Sequence, residues 1–451
     1  QSRTILSVIS LVSYVLTKVA VTVYAGGLVF QQVFGIKELW GIDFFWIAAI
    51  GLVVLTALYT IFGGMKSVLY TSVLQTPILL LGSLIILVLG FKELGGWDEM
   101  MRVCGAVTVN DYGDTMTNLI RSNDDANFPW LGALIGSAII GFWYWCTDQF
   151  IVQRVLSGKN EKEARRGTIF GAYLKLLPVF LFLIPGMIAF ALHQKYIGAG
   201  GEGFLPMLAN GTANADAAFP TLVAKLLPAG VKGLVVCGIL AALMSSLASL
   251  FNSSAMLFTI DFYKRFRPET PEKKLVGIGQ IATVVIVILG ILWIPIMRSV
   301  GDVLYTYLQD VQSVLAPGIA AAFLLGICWK RTSAQGGMWG LIAGMIIGLT
   351  RLGAKVYYSN AGEVADSTFK YLFYDMNWLF FCGWMFLFCI IVVIVVSLAT
   401  EAPTAEKIQG LVFGTATKEQ KAATRASWDH WDIIHTVIIL AITGAFYWYF
   451  W

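Results

Sequence analysis

The sequence is dominated by a series of apolar stretches, each long enough to cross a lipid bilayer as one helix. A bilayer core of about 30 Å needs about 20 apolar helical residues. Charged residues make up only 13% of the chain, against about 25% in an ordinary soluble protein. The chain is therefore predicted to be a polytopic membrane protein. Eleven spans are predicted, at residues 4–33, 43–62, 68–91, 129–152, 168–193, 231–262, 275–297, 303–328, 336–355, 377–399 and 431–451.

The spans are predicted to be helices, which makes the fold all-α. Strands of a membrane barrel alternate in polarity, whereas the run 284–289 is apolar on every side. A net charge of +4 leaves no polycationic face for nucleic acid. The 6 cysteines are too few for a disulfide framework. We expect Cys104 in a polar loop, and we expect the others to be buried in spans: Cys146, Cys237, Cys328, Cys382 and Cys389.

Lys and Arg are distributed unevenly between the loops on alternate sides of the spans. One side carries more of them and includes the short basic clusters at 158–166 and 264–267. The positive-inside rule predicts that this side is cytoplasmic. We interpret the clusters as topology anchors rather than as binding patches for anionic lipid.

A few polar side chains lie deep within apolar spans. Lys18 falls midway along the first span, and Asp148 and Gln149 lie near the inner end of the fourth. Lys175 lies roughly 12 Å into the fifth, at about 1.5 Å per residue. Ionisable groups are costly in lipid and mark functional sites by default. Lys175 is therefore either a substrate contact or a structural group that makes a buried salt bridge or bonds helix-end carbonyls.

The sixth span carries a stripe of small and polar side chains. Ala242, Ser245, Ser246, Ser249 and Asn252 recur at helical spacing and share one face. Such a face is either a close helix-packing surface or a source of oxygen ligands for a hard cation such as sodium. Spacing alone favours packing.

The eighth and fourth spans carry the remaining candidates. Tyr305, Gln309 and Gln312 share one face of the eighth span, with Asp310 beside it. Two amides on an apolar helix exceed what packing requires, because each brings donors and acceptors that need partners. The aromatic triplet at 143–145 is either part of an interfacial belt or a set of rings that stack on a ligand or gate its path. It lies deeper than a belt should, so both interpretations stay open.

Motifs for other chemistries are missing from the sequence. It contains no G-x-x-x-x-G-K-[ST] phosphate-binding loop, and its 3 histidines show no metal-binding spacing. The spans also contain no paired nucleophile and base. Polar groups at mid-membrane without a nucleotide site favour a secondary transporter over an enzyme.

Several motifs, in order, closely resemble those of sodium/glucose cotransporters, within the sodium/solute symporter family. They lie at residues 59–67, 141–154 (which contains Trp-Tyr-Trp-Cys-Thr-Asp-Gln), 246–254 with 258–261, and 323–331. The resemblance implies a LeuT-like fold, an inverted repeat of five plus five helices with flanking helices, fourteen in all. Eleven are predicted here, so we expect three more helices ahead of Gln1.

On this resemblance, residues 1–451 form a single transmembrane transporter domain. Residues 1–91 are the remainder of the first repeat, residues 129–328 are the second repeat, and residues 336–451 are additional C-terminal helices. We expect a multi-pass protein of the plasma membrane, or the inner membrane of a bacterium.

The resemblance also implies roles in sugar binding. Lys175 and Gln309 match partners of the sugar hydroxyls. Tyr144 matches the aromatic residue that stacks beneath the sugar as the inner gate, with Trp145 beside it. Tyr305 falls at the outer gate, and Lys18 falls near the sugar. We hypothesise that Lys18 and Asp148 neutralise each other.

For sodium, the resemblance favours ligation over packing on the sixth span, because Ala242, Ser245 and Ser246 match the family's sodium site. Two positions depart from the family pattern. Gly141 replaces an Asn or Thr that bonds the sugar, and Ser72 replaces an Asp associated with a second sodium or with ion release. Without that carboxylate, we expect one sodium per sugar.

The sequence thus predicts a sodium-driven importer of a glucose- or galactose-like monosaccharide that works by alternating access. Its expected partners are the sugar, sodium and the bilayer, without nucleic acid or an obligate protein partner. Two alternatives stay open. One is a sodium symporter for inositol, a monocarboxylate or sialic acid, and the other is a sugar-gated sensor or channel.

Overall fold

The computed structural model describes residues 2–208, 211–300, 303–361 and 365–450, without the side chains of residues 59, 61–68, 297–300 and 360. Helices account for most of this part of the chain. In order they are α1 (Ser2–Ser13), α2 (Ala20–Phe34), α3 (Phe44–Leu94), α4 (Trp97–Gly105), α5 (Trp130–Phe142), α6 (Gln149–Leu156), α7 (Glu161–Pro178), α8 (Ile184–Gly198), α9 (Ala218–Leu226), α10 (Ala229–Met256), α11 (Lys264–Phe266), α12 (Glu272–Val300), α13 (Leu304–Cys328), α14 (Ala334–Asn360), α15 (Thr368–Lys370), α16 (Trp378–Ala399), α17 (Ala405–Ile408), α18 (Lys418–Ala426) and α19 (His430–Tyr449).

Short irregular helical segments connect several of these helices. A single turn of 3₁₀-helix covers Ala215–Ala217. The wider π-helical segments are Tyr14–Val19, Trp143–Thr147, Val179–Leu183, Leu257–Tyr263 and Tyr371–Asp375. In a π-helix the hydrogen bond runs from i to i+5, and such segments are frequent at functional sites.

A small hairpin precedes α3. Its strands, β1 (Glu38–Leu39) and β2 (Ile42–Asp43), pair antiparallel. Trp40 and Gly41 between them both have positive φ, 56° and 76°, as a two-residue type I′ turn requires. Asp43 then caps α3 by accepting a hydrogen bond from the backbone N–H of Phe45.

Ten helical stretches of the described residues are long and apolar enough to cross a membrane, and Phe44–Leu58 is a shorter apolar stretch. The fold is therefore all-α and polytopic, as predicted, but the count of eleven spans is not confirmed. The predicted second and third spans both lie in α3. The break predicted between them falls at 63–67, whose side chains lie outside the described residues.

The chain forms two compact units, each assembled from separate segments. The first unit comprises Gln1–Lys18, Arg121–Phe170 and Ser253–Ala441. In it, α13, α14 and α16 pack against one another, and α5 packs on α13 and α16. Its apolar core includes Ile9, Ile140, Trp143, Ile319, Leu379 and Cys382.

The second unit comprises Val19–Ile120, Gly171–Asn252 and Ile442–Trp451. In it, α2 packs on α3 and α9, while α8 packs on α3, α4 and α9. Its core includes Ile86, Leu94, Met100, Ile188, Leu192 and Leu222. The assignment of residues 1–91, 129–328 and 336–451 to repeats and extra helices within one domain is a different division, and it stays a prediction.

The cysteines depart from the sequence-based expectation. All six are free, and Cys146, Cys237 and Cys328 are exposed rather than buried. Cys104 does not lie in a polar loop. It is fully buried at the end of α4, because the long connection between spans folds a short amphipathic helix onto the second unit's core. Burial raises the pKa of the Cys104 thiol to about 11, so the thiol stays protonated at neutral pH.

Glycines bring α13 and α14 close together in the first unit. A Cβ atom at Gly344 would lie 2.9 Å from the Cα of Gly318, and one at Gly348 would lie 2.3 Å from the carbonyl oxygen of Val314. Small residues are the usual means of close helix approach in membranes. The two backbones therefore have no room for a larger side chain at these positions.

We expect Gly348→Ala to destabilise the protein by about 1–3 kcal/mol, as overpacking of a tight contact does. The matched control is Gly353→Ala on the same helix, where an added Cβ meets nothing within 4 Å and helix propensity improves. The measurement is the melting temperature of each purified variant in detergent. Equal melting temperatures for the two variants would contradict the close contact.

Candidate functional site

A buried ion pair joins two of the polar residues that the sequence places inside apolar spans. The Lys18 ammonium pairs with the Asp148 carboxylate, and their side chains are only 7% and 2% exposed. Asp148 also accepts hydrogen bonds from the Tyr14 hydroxyl, at 2.8 Å, and from the backbone N–H of Phe150, at 3.2 Å. The hypothesis that Lys18 and Asp148 neutralise each other is confirmed.

Aromatic rings surround the Lys18 ammonium. Its Nζ atom lies 4.9 Å from the ring centre of Tyr14, 5.5 Å from Trp143, 5.1 Å from Tyr144 and 4.4 Å from Phe150. All four distances are within the range of cation–π attraction. The charge of Lys18 is thus compensated inside the first unit, and its nearest link to the expected substrate is the Tyr144 ring.

The segment that carries Tyr144 is π-helical and ends at Asp148. Trp143 is buried, Tyr144 is half-buried and Trp145 is 50% exposed. The rings of Tyr144 and Trp145 meet edge to face at 5.1 Å. Trp143–Thr147 gives way to α6 at Asp148, whose extended backbone and capping carboxylate begin the new helix. The ion pair therefore holds the end of the segment that displays these two rings.

Next to this segment, Gly141 leaves space. An added Cβ at Gly141 would meet nothing within 4 Å. Gly141 therefore leaves open space and supplies no hydrogen-bonding side chain to a ligand.

On α13, the outer-gate and amide candidates differ in burial. Tyr305 is 55% exposed, Gln309 is half-buried and Gln312 is buried. Between the first two lies Tyr307, whose hydroxyl accepts from the Trp293 indole N–H at 2.6 Å and donates to the Leu16 carbonyl at 2.9 Å. Leu16 belongs to the π-helical segment Tyr14–Val19.

A second charged cluster, made by Asp310, Arg351 and Lys355, is not predicted from the sequence. The sequence places Asp310 only beside the amide face of the eighth span, and Arg351 lies near the end of the ninth predicted span, which stops at residue 355. In the structure α14 continues to Asn360. Arg351 is fully buried within it.

In the second unit, Lys175 lies near the end of α7 and is exposed. Pro178 ends α7 three residues later, and the π-helical segment Val179–Leu183 follows, since proline provides no N–H for the regular helix ladder. Because Lys175 also lies near the middle of the longer membrane-spanning stretch Glu161–Gly198, its exposed ammonium requires water or protein around it rather than lipid.

The predicted sodium ligands lie on α10, also in the second unit. Ser245 is 8% exposed, and Ala242 and Ser246 are half-buried. The Ser245 hydroxyl is 2.6 Å from the hydroxyl of Ser72 on α3. Ser249 donates to the Ser245 carbonyl at 3.0 Å. Hydroxyl and carbonyl oxygens are the ligands that a hard cation prefers, so this donor set suits sodium.

The site candidates are therefore divided between the two units. One unit carries Lys18, Tyr144, Trp145, Tyr305 and Gln309, and the other carries Lys175, Ala242, Ser245 and Ser246. The structure brings Lys18 and Tyr144 together. That all nine residues serve one sugar and one sodium stays a prediction.

Ten apolar helical stretches in the described part of the chain, with Lys18 and Tyr144 in π-helical segments among them, define a polytopic membrane protein. A solved structure of a Na⁺-coupled sialic acid symporter, substrate-bound and outward-open, matches 89% of this chain and 76% of its own, with a TM-score of 0.63 and 20% identity. This likeness establishes the LeuT-like fold. The sodium:solute symporter family matches residues 1–348. The chain belongs to that family.

Its curated relatives are sodium cotransporters. The sodium/mannose cotransporter SLC5A10 of Bos taurus is 35% identical over 99% of this chain and 77% of its own length. The sodium/myo-inositol cotransporter 2 of Homo sapiens is 35% identical over 91% of this chain and 62% of its own. The sodium/glucose cotransporter 1 of Ovis aries is 37% identical over 88% and 61%. The chain thus spans less than two thirds of the last two relatives.

Family membership confirms the resemblance inferred from the motifs. Members are sodium-coupled transporters rather than enzymes, and sodium is their coupling ion. They are multi-pass membrane proteins whose usual location is the plasma membrane.

Proposed function

We propose that this protein imports a neutral, ring-shaped polyol, a monosaccharide of the glucose or galactose kind, by symport with sodium. The observation that carries the proposal is the set of relatives matched over 88–99% of the chain, named for mannose, myo-inositol and glucose. All three substrates present several hydroxyls around a six-membered ring. Inositol is therefore the second candidate substrate.

The site residues take the following roles. Sugar hydroxyls bond the Lys175 ammonium and the Gln309 amide, while the ring stacks on Tyr144 beside Trp145. Tyr305 is the outer gate, which closes the extracellular side of the sugar site. Lys18 acts on the sugar indirectly, by holding Tyr144. This assignment suits a neutral substrate, because the charge of Lys18 is already compensated by Asp148.

Sodium binds at Ala242, Ser245 and Ser246 and favours the outward-open arrangement, in which the sugar site is assembled. Coupling then follows from preferential binding of both ligands to one conformation. We propose one sodium per sugar, because Ser72 offers a hydroxyl where a second cation needs a carboxylate. The hydroxyl of Ser72 also already contacts Ser245.

Uptake into proteoliposomes tests the proposal. An inward sodium gradient is expected to drive accumulation of labelled glucose, and unlabelled galactose, mannose and myo-inositol are added as competitors. Competition only by sialic acid or a monocarboxylate would overturn the sugar assignment. Sodium current without accumulation would identify a sensor or channel instead. A flux ratio near two sodium ions per sugar would overturn the stoichiometry.

The sodium site has its own prediction. Ser245→Ala is expected to raise the half-saturating sodium concentration about tenfold, which corresponds to about 1.4 kcal/mol, because the cation loses one oxygen ligand. Ser83→Ala is the control. It also removes a buried serine hydroxyl in the second unit, but on α3 and outside the proposed sodium site. An unchanged sodium dependence in Ser245→Ala would remove Ser245 from the site.

A further inference from the structure

A buried charge cluster in the first unit lies directly beside the proposed sugar contact Gln309. The Asp310 carboxylate is 2.8 Å from the Lys355 ammonium through Oδ2, and 3.5 Å from the Arg351 guanidinium through Oδ1. Asp310 is 8% exposed and Arg351 is fully buried. An isolated charge buried to this degree is strongly unfavourable, so the three groups stabilise one another by pairing.

The sequence of α14 places this cluster on its packed face. Gly344, Gly348, Arg351 and Lys355 follow one another at spacings of four, three and four, which align them along one side of the helix. The two glycines bring α14 against α13. The two basic side chains, farther along the same face, then reach Asp310.

Arg351 also joins the cluster to a third element. Its guanidinium donates to the carbonyl of Met376 at 2.7 Å and to that of Leu372 at 3.4 Å, and it lies 4.0 Å from the ring centre of Phe381. The Met376 carbonyl directly follows the C-terminal end of the π-helical segment Tyr371–Asp375, where a cation is favourable, and the Leu372 carbonyl lies within that segment. Arg351 therefore ties α13 to this segment through Asp310.

Two buried polar anchors thus bracket Gln309 on α13. Tyr307 is held by Trp293 and by the carbonyl of Leu16, and Asp310 is held by Arg351 and Lys355. Successive helical residues differ by about 100° around the axis, since a turn takes about 3.6 residues. The anchors therefore set the direction of the face that carries Gln309 and, four residues earlier, Tyr305.

We propose that Asp310 is a positioning residue, which holds Gln309 and Tyr305 in the orientation that recognises the sugar by pairing with Arg351 and Lys355. This role rests on the proposed function. It assigns to the Asp310 cluster a contribution to substrate affinity that is separate from sodium binding, because the sodium candidates lie on α10.

The test is Asp310→Asn, measured by sodium-driven uptake at varied sugar and sodium concentrations. The half-saturating sugar concentration is expected to rise about 3- to 30-fold, the range for residues that act through neighbours. The maximal rate per copy and the half-saturating sodium concentration are expected to stay within about twofold of wild type. Asp366→Asn is the control, since Asp366 pairs with Lys370 on the surface and is 96% exposed.

Two further variants separate positioning from stability. Asp310→Glu keeps the charge and is expected to recover most of the sugar affinity. Asp310→Asn combined with Lys355→Met removes one of the two uncompensated cations, so the melting temperature is expected to return toward wild type while the sugar affinity stays low. Recovery of both quantities together would overturn the positioning role, as would an unchanged affinity in Asp310→Asn.

A readout that needs no substrate keeps this test separate from the proposed function. Tyr305→Cys is introduced alone and together with Asp310→Asn, and each variant is labelled with a membrane-impermeant thiol reagent. The labelling of the native cysteines, measured in the chain with Tyr305 intact, is subtracted. The labelling rate is expected to change about threefold or more when the anchor is lost. If wild type transports no sugar and labelling still changes, only the proposed function fails. If sugar is transported and labelling stays the same, the positioning role fails.

Discussion

Asp148→Asn is expected to destabilise the protein by about 3–5 kcal/mol, because it leaves the Lys18 ammonium buried without its counter-charge. Lys18→Met leaves the Asp148 carboxylate equally uncompensated and is expected to cost a similar amount. The measurement is the melting temperature of the purified variants in detergent. Asp366→Asn makes the same chemical change at an exposed surface pair and is expected to leave the melting temperature unchanged.

The double variant with Lys18→Met and Asp148→Asn identifies the interaction itself. Because both charges are gone, its destabilisation is expected to be smaller than the sum of the two single effects by about 2–3 kcal/mol. If the destabilisation of the double variant equals the sum of the two single effects, Lys18 and Asp148 are not energetically coupled. A charge swap is a poorer test, because it would place a carboxylate among the ring faces that now surround Lys18, and these faces carry negative potential.

Lys175→Ala has the second large expected effect. A sugar hydroxyl desolvated without its partner loses about 1–3 kcal/mol, so the half-saturating sugar concentration is expected to rise by roughly 5- to 150-fold. Sodium-driven uptake measures this directly. Lys162→Ala, an exposed position at the start of the same helix, is the matched control and is expected to behave as wild type.

Methionine at position 175 refines this test. Lys175→Met keeps the length of the side chain and removes the ammonium, so it is expected to match Lys175→Ala if hydrogen bonding to the sugar is the role. Recovery of uptake by Lys175→Met would indicate that packing along α7 matters instead. Unchanged uptake in both variants would remove Lys175 from the sugar site.

The deep ionisable residues illustrate how far the sequence could be interpreted. Lys18 and Asp148 stand out as charges inside apolar spans, and their pairing followed as a hypothesis from charge alone. Arg351 did not stand out, because a basic residue near the end of a predicted span is ordinarily explained by snorkelling to the interface. In the structure α14 continues to Asn360, so Arg351 lies well before the end of the helix, where Asp310 is its partner.

The hydroxyl stripe of α10 shows the same limit. Helical spacing puts Ala242, Ser245 and Ser246 on one face, but spacing alone could not distinguish packing from ligation. The contact of Ser245 with Ser72 joins residues 173 positions apart. No local pattern in either helix predicts that contact.

The sequence by itself determined the membrane class, the helical fold and the approximate position of most spans, because these depend on local apolar length and on backbone hydrogen bonds made within each helix. Tertiary structure established which buried charges meet. Lys18 and Asp148 are 130 residues apart, and Asp310 reaches Arg351 only because glycines let α13 and α14 approach. The physical reason is that burial of a span is a local property, whereas the stability of a buried charge depends on a partner that the fold brings from elsewhere in the chain.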